Sequence, residues 1–468
     1  MPAPLEYRLA MAGRNGHVRH LLYRPHISEL VWEDTGARVS LTAVGMDYAS
    51  SHRDWKPAFP VSPENPAHKS RNVRVLKIQM GLKCNYACAY CNQASQPPAR
   101  AGAQNQQSGV QSGIEDVRAF LKKLPEWFDG GERGDGTGVR IEFWGGEPFV
   151  YWKALKVLAS ELRARFPMAE FNIITNGSLI DDEKIDWLDA LGFGVGVSHD
   201  GPGHKAARGP DPLEDSVRCA AIRKLYDRLF PKGRIGFNCV LTRDNRSLVA
   251  IREHIGARLG IDPANVPLTS EELLLPYDAG GMALSPQTPE EHDRVLQEVW
   301  WEAVTGRSMP VGAVRQKCED FFRSLAESRP ASSLGQKCGM DRPEHLAVDL
   351  KGNVLTCQNT SAATKHRIGS VEAFEDIQLT TAHHWSTREE CVRCPVVQLC
   401  KGACLFLEGD LWRRACDNSF TWNLALLAIS LYWLTRLVLI EIEGPVLRRD
   451  DLPTRIPVIR TPAAEAAV

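Results

Sequence analysis

The chain has 468 residues, 43% hydrophobic and 24% charged, which is more than one ordinary domain holds and suits two or three. Its formal net charge of -1 at pH 7 provides no basic surface of the kind nucleic acid requires, so a small ligand, a peptide or a partner protein is expected instead. The first twenty residues lack an apolar core of the secretory type, and a cytoplasmic location is the expectation. There, cysteines serve metals or catalysis rather than disulfides.

Residues 1–72 read as a β-rich region and a candidate for peptide recognition. YRLAMA and HVRHLLY flank Asn15-Gly16, a hairpin signal, and ARVSLTAV (37–44) reads as another strand. A Pro-rich stretch, KPAFPVSPENPAHKS, then closes the region. No three-helix pattern stands out in it.

Residues 73–309 alternate strand and helix. Strands are expected at VRVLKIQM (from Val73), VRIEFW (from Val139), EFNIIT (from Glu170), GVGVSH (from Gly194), RIGFNCVLT (from Arg234) and ELLLPY (from Glu272). Helices are expected over Glu115–Phe128, Trp152–Phe166, Asp181–Leu191, Glu214–Leu229, Ser247–Leu259 and Pro289–Thr305. Six such units predict an α/β fold, a parallel sheet curled into a partial (β/α)6 barrel, with function at the C-terminal strand ends. The polar low-complexity stretch from Asn92 reads as a flexible insertion or lid.

Directly after the first of these strands stand Cys84, Cys88 and Cys91, in GLKCNYACAYCN. Three thiolates on one short loop bind three irons of a cubane and leave the fourth iron open, whereas zinc sites want four ligands. Gly145, Gly146, Glu147 and Pro148 follow the second strand, Thr175-Asn176-Gly177 the third, and Ser198-His199-Asp200-Gly201-Pro202 the fourth.

In these motifs the sequence resembles the radical S-adenosylmethionine (SAM) superfamily. The resemblance implies that the three cysteines hold a 4Fe–4S cluster and that SAM chelates the open iron. Cleavage of SAM then yields a 5′-deoxyadenosyl radical that takes a hydrogen atom from the substrate. It places Tyr90 at the adenine and Glu147 of GGEP at the SAM amino group, with Asn176 and Ser198 near SAM. Asn176 and Asp200 read equally well as helix caps or turn residues. Arg208 is a candidate partner of the SAM carboxylate, against a surface arginine as the plainer reading.

Residues 310–420 are dominated by Cys338, Cys357, Cys391, Cys394, Cys400, Cys404 and Cys416. This spacing resembles a SPASM domain, the extension of radical SAM enzymes that modify peptides and proteins. It implies two auxiliary 4Fe–4S clusters, one on Cys391, Cys394, Cys400 and Cys416, the other on Cys338, Cys357 and Cys404. Cys318 and His345 are candidates for the missing fourth ligand of the latter, which is otherwise an open site. Cys219 and Cys239 belong to neither motif and read as packed core thiols.

Residues 421–468 hold a hydrophobic helix and tail. Phe420–Ile442 is long enough to span a bilayer, but Asn423, Arg436 and Glu441 favour a buried or groove-covering helix. Sulfatase maturases resembling this chain carry Asp after the second bracketing cysteine, whereas Gln358 follows Cys357 here and cannot act as a base. The favoured reading is therefore a maturase of a ribosomally made precursor peptide that forms an oxidative side-chain crosslink, carbon–carbon first and thioether second. The alternatives are a dehydrogenase, an epimerase or a sulfatase-type maturase, and beyond these a non-catalytic iron–sulfur protein. Expected partners are the precursor peptide, a separate leader-binding protein, and an electron donor such as flavodoxin or ferredoxin.

Overall fold

The computed structural model of the chain describes residues 5–13, 16–50, 53–93, 113–308, 311–445, 447–449 and 452–460. Nearly all of the stretch read as a lid lies outside them. The first three strands are β1 (Tyr7–Ala12), β2 (Val18–Arg24) and β3 (Glu29–Trp32), and β4 (Ala67–His68) follows. The barrel strands are β5 (Val75–Gln79), β6 (Arg140–Trp144), β7 (Glu170–Thr175), β8 (Phe193–Ser198), β9 (Ile235–Leu241) and β10 (Leu268–Leu273). Then come β11 (His345–Asp349), β12 (Asn353–Leu355), β13 (Arg367–Ser370), β14 (Gln378–Leu379), β15 (Val438–Glu443) and β16 (Arg455–Pro457).

Strands β5 to β10 lie side by side in chain order, all parallel, as the partial barrel requires. Helices connect them, each starting where the sequence offers a cap. Asp181, Asp215, Ser247 and Thr288 accept a backbone N–H three residues on, and Pro289 opens its helix.

Within the barrel strands, large apolar side chains alternate with small and polar ones. Phe143, Phe171 and Phe193 pack on the helix side with ring centroids 5.3–5.4 Å apart. The other face carries Glu142, Trp144, Asn172, Gly194, Gly196 and Asn238, which line an open cavity of about 480 Å3. Barrel interiors are usually filled by branched side chains; glycine and asparagine hollow this one out. The apolar runs in the sequence are therefore strands buried on one face only.

The sheet continues past β5. Strand β11 pairs parallel to it, and β12 and β13 follow antiparallel. A hairpin flanked by Cys338 and Cys357 is thus built onto the open edge of the barrel. A second sheet has the order β16-β15-β1-β2-β3, so strands from both ends of the sequence share it. Its outer side carries ion pairs such as Arg8–Glu33 and Arg19–Asp34. Its inner side reaches the cysteine region, where the Tyr7 hydroxyl donates to the Arg393 carbonyl (2.7 Å) and Gln398 donates to the Pro25 carbonyl (2.8 Å).

Three expectations are corrected. ARVSLTAV is not a strand: Arg38 makes a single bridge to Val31, and Thr42–Val44 is a short 3-10 turn. The last barrel strand ends at Leu273, because Glu272 adopts φ +82 and the register slips between Ser270 and Leu273. Phe420–Ile442 is not one helix. The helix Gly409–Thr435 ends at Arg436, in left-handed conformation (φ 58), and the chain turns into β15.

That helix is buried on nearly all sides and packs against the helix Pro289–Val304, with Trp300 edge-on to Tyr432. Among the described residues no helix is long and apolar enough to cross a membrane. Its apolar length serves the core of this fold. Leu427, fully buried at its centre, is expected to cost about 2–5 kcal/mol on truncation to alanine, measurable by anaerobic denaturant unfolding.

Candidate active site and auxiliary thiol sites

The loop after β5 is held by backbone of the segment after β6. Gly146 donates to the Gly81 carbonyl (3.1 Å) and Glu147 to the Lys83 carbonyl (3.1 Å). This approach needs glycine: a Cβ on Gly146 would lie 2.4 Å from the Lys83 carbonyl oxygen and 2.6 Å from that of Leu82. The Tyr151 hydroxyl accepts from the Lys83 N–H (2.7 Å), and Asn85 joins Asn176 and Ser178. Cys84, Cys88 and Cys91 are thereby presented on a fixed loop, each partly exposed.

The three thiols line a cavity of about 540 Å3 at the C-terminal ends of the strands, with Gly145, Gly146, Glu147, Asn176, Ser198 and Arg208 on its wall. The structure brings together the residues that the sequence offered separately. Three convergent thiols suit an iron–sulfur cluster, and the carboxylate, hydroxyl and amide groups beside them suit a polar cofactor. Burial pushes the Cys88 thiol up to about 12 against the pull of Arg208, and raises Cys84 too. Such thiols do not ionise alone at neutral pH and need a metal to displace the proton.

Glu147 is buried. Its Oε1 accepts from Thr175 Oγ1 (2.8 Å) and the Phe149 N–H (3.2 Å), its Oε2 from the Asn176 N–H (2.8 Å). Burial still pushes its carboxyl up to about 7. Asn176 is a turn residue, its Oδ1 accepting from the Ser178 N–H (2.9 Å).

Asp200 is no helix cap. Its carboxylate takes the Tyr90 hydroxyl, the Arg208 guanidinium (2.9 Å) and the Val240 N–H (3.0 Å). Arg208 is therefore not a surface residue: its side chain is 11% exposed, lies over the Tyr90 ring and is engaged by Asp200. His199 accepts the Gly201 N–H at Nδ1 (2.9 Å), which places its proton on Nε2, toward Asp211 (2.9 Å). That leaves His199 no lone pair for a cation, and the buried His199–Asp211 pair clamps the loop carrying Asp200.

The second cysteine group falls into two sets. Cys391, Cys394, Cys400 and Cys416 line one narrow pocket. Cys338, Cys357 and Cys404 form another set: desolvation raises all three, and charge on Cys404 adds to the rise at Cys338 and Cys357. Cys318 joins neither: it is fully buried, with Sγ on the Leu426 carbonyl (3.9 Å), and is a core thiol like Cys239. Cys219 is only half-buried, on the helix Ser216–Leu229. His345 lies beside Gly339, the neighbour of Cys338, and its buried Nδ1 has no hydrogen-bond partner.

Sequence reasoning missed much of the far wall of the cavity. Glu271, Glu272, Tyr277, Lys317, Lys337 and Asn359 line it. Glu272 is buried between the ammonium groups of Lys317 and Lys337 (2.9 Å to the latter). Tyr277 hydrogen-bonds Cys404, and burial raises its hydroxyl well above the ordinary value. The cavity thus runs from the barrel thiols to the edge of the second cysteine region. Lys337 adjoins Cys338, a signal that proximity in sequence offered; Glu271 and Tyr277 carried none.

The radical SAM superfamily profile matches residues 78–246. The radical SAM cyclopropyl synthase TigE of Paramaledivibacter caminithermalis is 23% identical over 216 residues, 43% of this chain and 44% of its own. The chain therefore spans under half of that relative. A cysteine-type anaerobic sulfatase-maturating enzyme of Clostridium perfringens (strain 13 / Type A) is 25% identical over 351 residues, 69% of this chain and 85% of its own. Among solved structures, native anSMEcpe with bound AdoMet aligns with a TM-score of 0.53 at 20% identity, over 76% of this chain and 99% of that one. The same protein with AdoMet and the Cp18Cys peptide gives 0.52 at 19%, over 77% and 99%. These likenesses establish the fold.

Two outcomes test the geometry. Gly146→Ala is expected to lower stability by about 1–3 kcal/mol, since the intruding atom meets backbone, as read by denaturant unfolding. Glu147 titrates near 7 in the fold against 4.5 when free. The folded state therefore holds its proton longer, and the contribution of this group to stability falls as pH rises from about 4.5 to 7. Thermal melts of apo wild type and Glu147→Gln are expected to shift in favour of the variant across that window, by at most about 3 kcal/mol.

Proposed function

Residues 78–246 are a radical SAM domain, and from that premise we propose that the chain is a radical SAM peptide maturase catalysing a net two-electron oxidation. The observation that carries this reading is the continuous cavity, which has the Cys84–Cys88–Cys91 loop at one end and Lys337, Asn359 and Tyr277, neighbours of the second cysteine set, at the other. When bound, the cluster and SAM supply a 5′-deoxyadenosyl radical that removes a hydrogen atom, and the auxiliary clusters supply an acceptor for one further electron.

The chain's own residues do the rest. Cys84, Cys88 and Cys91 hold the first cluster; Cys391, Cys394, Cys400 and Cys416 the four-thiolate auxiliary one; Cys338, Cys357 and Cys404 the other, with His345 or substrate as its fourth ligand. Glu147 receives the SAM amino group, Ser198 and Asn176 flank the ribose and carboxylate, and Tyr90, locked by Asp200 and Arg208, faces the adenine. Oxidation by two electrons also releases a proton. Glu147 is committed to its donors and Glu272 to two lysines, whereas Glu271 is exposed on the cavity wall. Glu271 is the acceptor that supplies the missing base. Loss of one hydrogen atom, one proton and one electron removes two hydrogens from the peptide. A side-chain crosslink fits that balance, with carbon–carbon preferred over thioether.

Sulfatase-type maturation is the second reading, supported by the long match to the sulfatase-maturating enzyme. Against it, Gln358 follows Cys357 and lies outside the cavity, whose wall there is Asn359. The test is anaerobic reconstitution with iron, sulfide, SAM and reductant. Wild type is expected to release 5′-deoxyadenosine and the Cys84→Ala/Cys88→Ala/Cys91→Ala variant none, while both retain auxiliary iron. Candidate peptides are expected to lose two hydrogens by mass, and Glu271→Gln to slow that loss about 100-fold or more without abolishing nucleoside release. Conversion of a sulfatase-derived cysteine peptide instead would establish the second reading, and nucleoside from the triple variant would end both.

A further inference from the structure

The four-cysteine pocket has a fifth wall that no motif announces. Arg448, from the segment after β15, enters it with a side chain 9% exposed. Its backbone N–H donates to the Arg393 carbonyl (3.1 Å), which ties the segment to the loop bearing Cys391 and Cys394. Its Nη1 donates to Cys416 Sγ (3.7 Å) and to Asp417 Oδ1 (2.9 Å), and its guanidinium lies 3.9 Å from the centre of the Phe420 ring.

Three features set this arginine apart from an ordinary ion pair. The residue holds φ 68, a left-handed conformation that non-glycine residues enter only when the surroundings impose it. Arg449 donates to the same Asp417 oxygen (3.1 Å), so Arg448 does not have that carboxylate to itself. The Nε of Arg448 is buried without a partner. Buried cationic donors are rare unless an anion answers them. A four-thiolate iron–sulfur cluster is such an anion, and it gains one more negative charge on reduction.

Resting on the reading that Cys391, Cys394, Cys400 and Cys416 hold a cluster, we infer that Arg448 is a positioning residue for it. Its charge and its hydrogen bond to the Cys416 sulfur stabilise the reduced form and raise that cluster's reduction potential. The one-electron couple is unchanged; only its midpoint moves, because hydrogen bonds to the sulfurs and local charge set cluster potentials.

The experiment is EPR-monitored potentiometry of full-length protein carrying Cys84→Ala, Cys88→Ala and Cys91→Ala, so that only auxiliary couples remain. Arg448→Gln is expected to move one couple to more negative potential and leave the other in place, with iron content unchanged. Arg448→Lys, which keeps the charge but not the planar fork, is expected to move the same couple less. Two couples that both stay fixed in either iron-replete variant overturn the inference, and so does an equal shift of both, which marks a general loosening. If Arg448→Gln sheds iron, Arg448→Lys alone decides: a negative shift supports the role and a wild-type midpoint overturns it. A parent protein with a single auxiliary couple would instead refute the cluster reading on which the inference rests.

Discussion

Gathering thiols in a low-dielectric interior is the constraint around which this protein is arranged. Burial alone pushes Cys391, Cys394, Cys400 and their counterparts far above their ordinary pKa, and each added thiolate worsens the position of its neighbours. Ionising them needs positive charge within a few ångströms, from metal and from fixed side chains. The fold provides the latter at several depths. Arg388 lies 3.5 Å from the centre of the Trp412 ring and offsets Cys391, Lys77 acts on Cys338 and Cys357, and Lys317 and Lys337 act on Cys400. Lys77 and Lys317 come from elements outside the cysteine loops, so a barrel strand and a long helix take part in making the thiol sites tenable.

The same logic explains the charge inventory of the cavity. Glu272 holds Lys317 and Lys337 in place at the cost of a backbone angle that disfavours its own residue type. Asp200 does the equivalent for Tyr90 and Arg208. Each carboxylate that fixes a wall is removed from chemistry, and the one left reachable, Glu271, adjoins one of them in sequence. Division of labour between adjacent acidic residues follows from a strand that slips register at that point and points Glu271 and Glu272 to different surroundings.

How much of this was legible beforehand depended on whether the signal was local. The first five barrel strands came out within a residue or two, because period-two apolar alternation bounded by caps such as Asp181 and Ser247 is a local pattern, whereas the sixth lies four residues earlier than ELLLPY. Cys84, Cys88 and Cys91, GGEP and the four-cysteine set were likewise carried by spacing. ARVSLTAV misled because its alternation buries Val39 and Leu41, yet its pairing with β3 stops at the one Arg38–Val31 bridge before the chain turns at Thr42–Val44. Phe420–Ile442 misled because one hydrophobic run serves a helix and then a strand, divided only by Arg436 adopting a conformation its residue type does not advertise. Arg208 read as a surface residue since nothing local reveals that Asp200 turns inward to meet it. Arg448, Glu271 and Tyr277 belong to the site through tertiary approach alone.

The pairing of β1 with β15 joins segments more than four hundred residues apart. Because β1 packs, through Tyr7, on the loop that carries Cys394, and Arg448 follows β15, the wall of the four-cysteine pocket is completed only when β15 pairs with β1. That wall stands open until the two strands meet, and contacts of such long sequence separation form late. The pocket thiols therefore lose their access to solvent on the Arg448 side only in the last stage of folding.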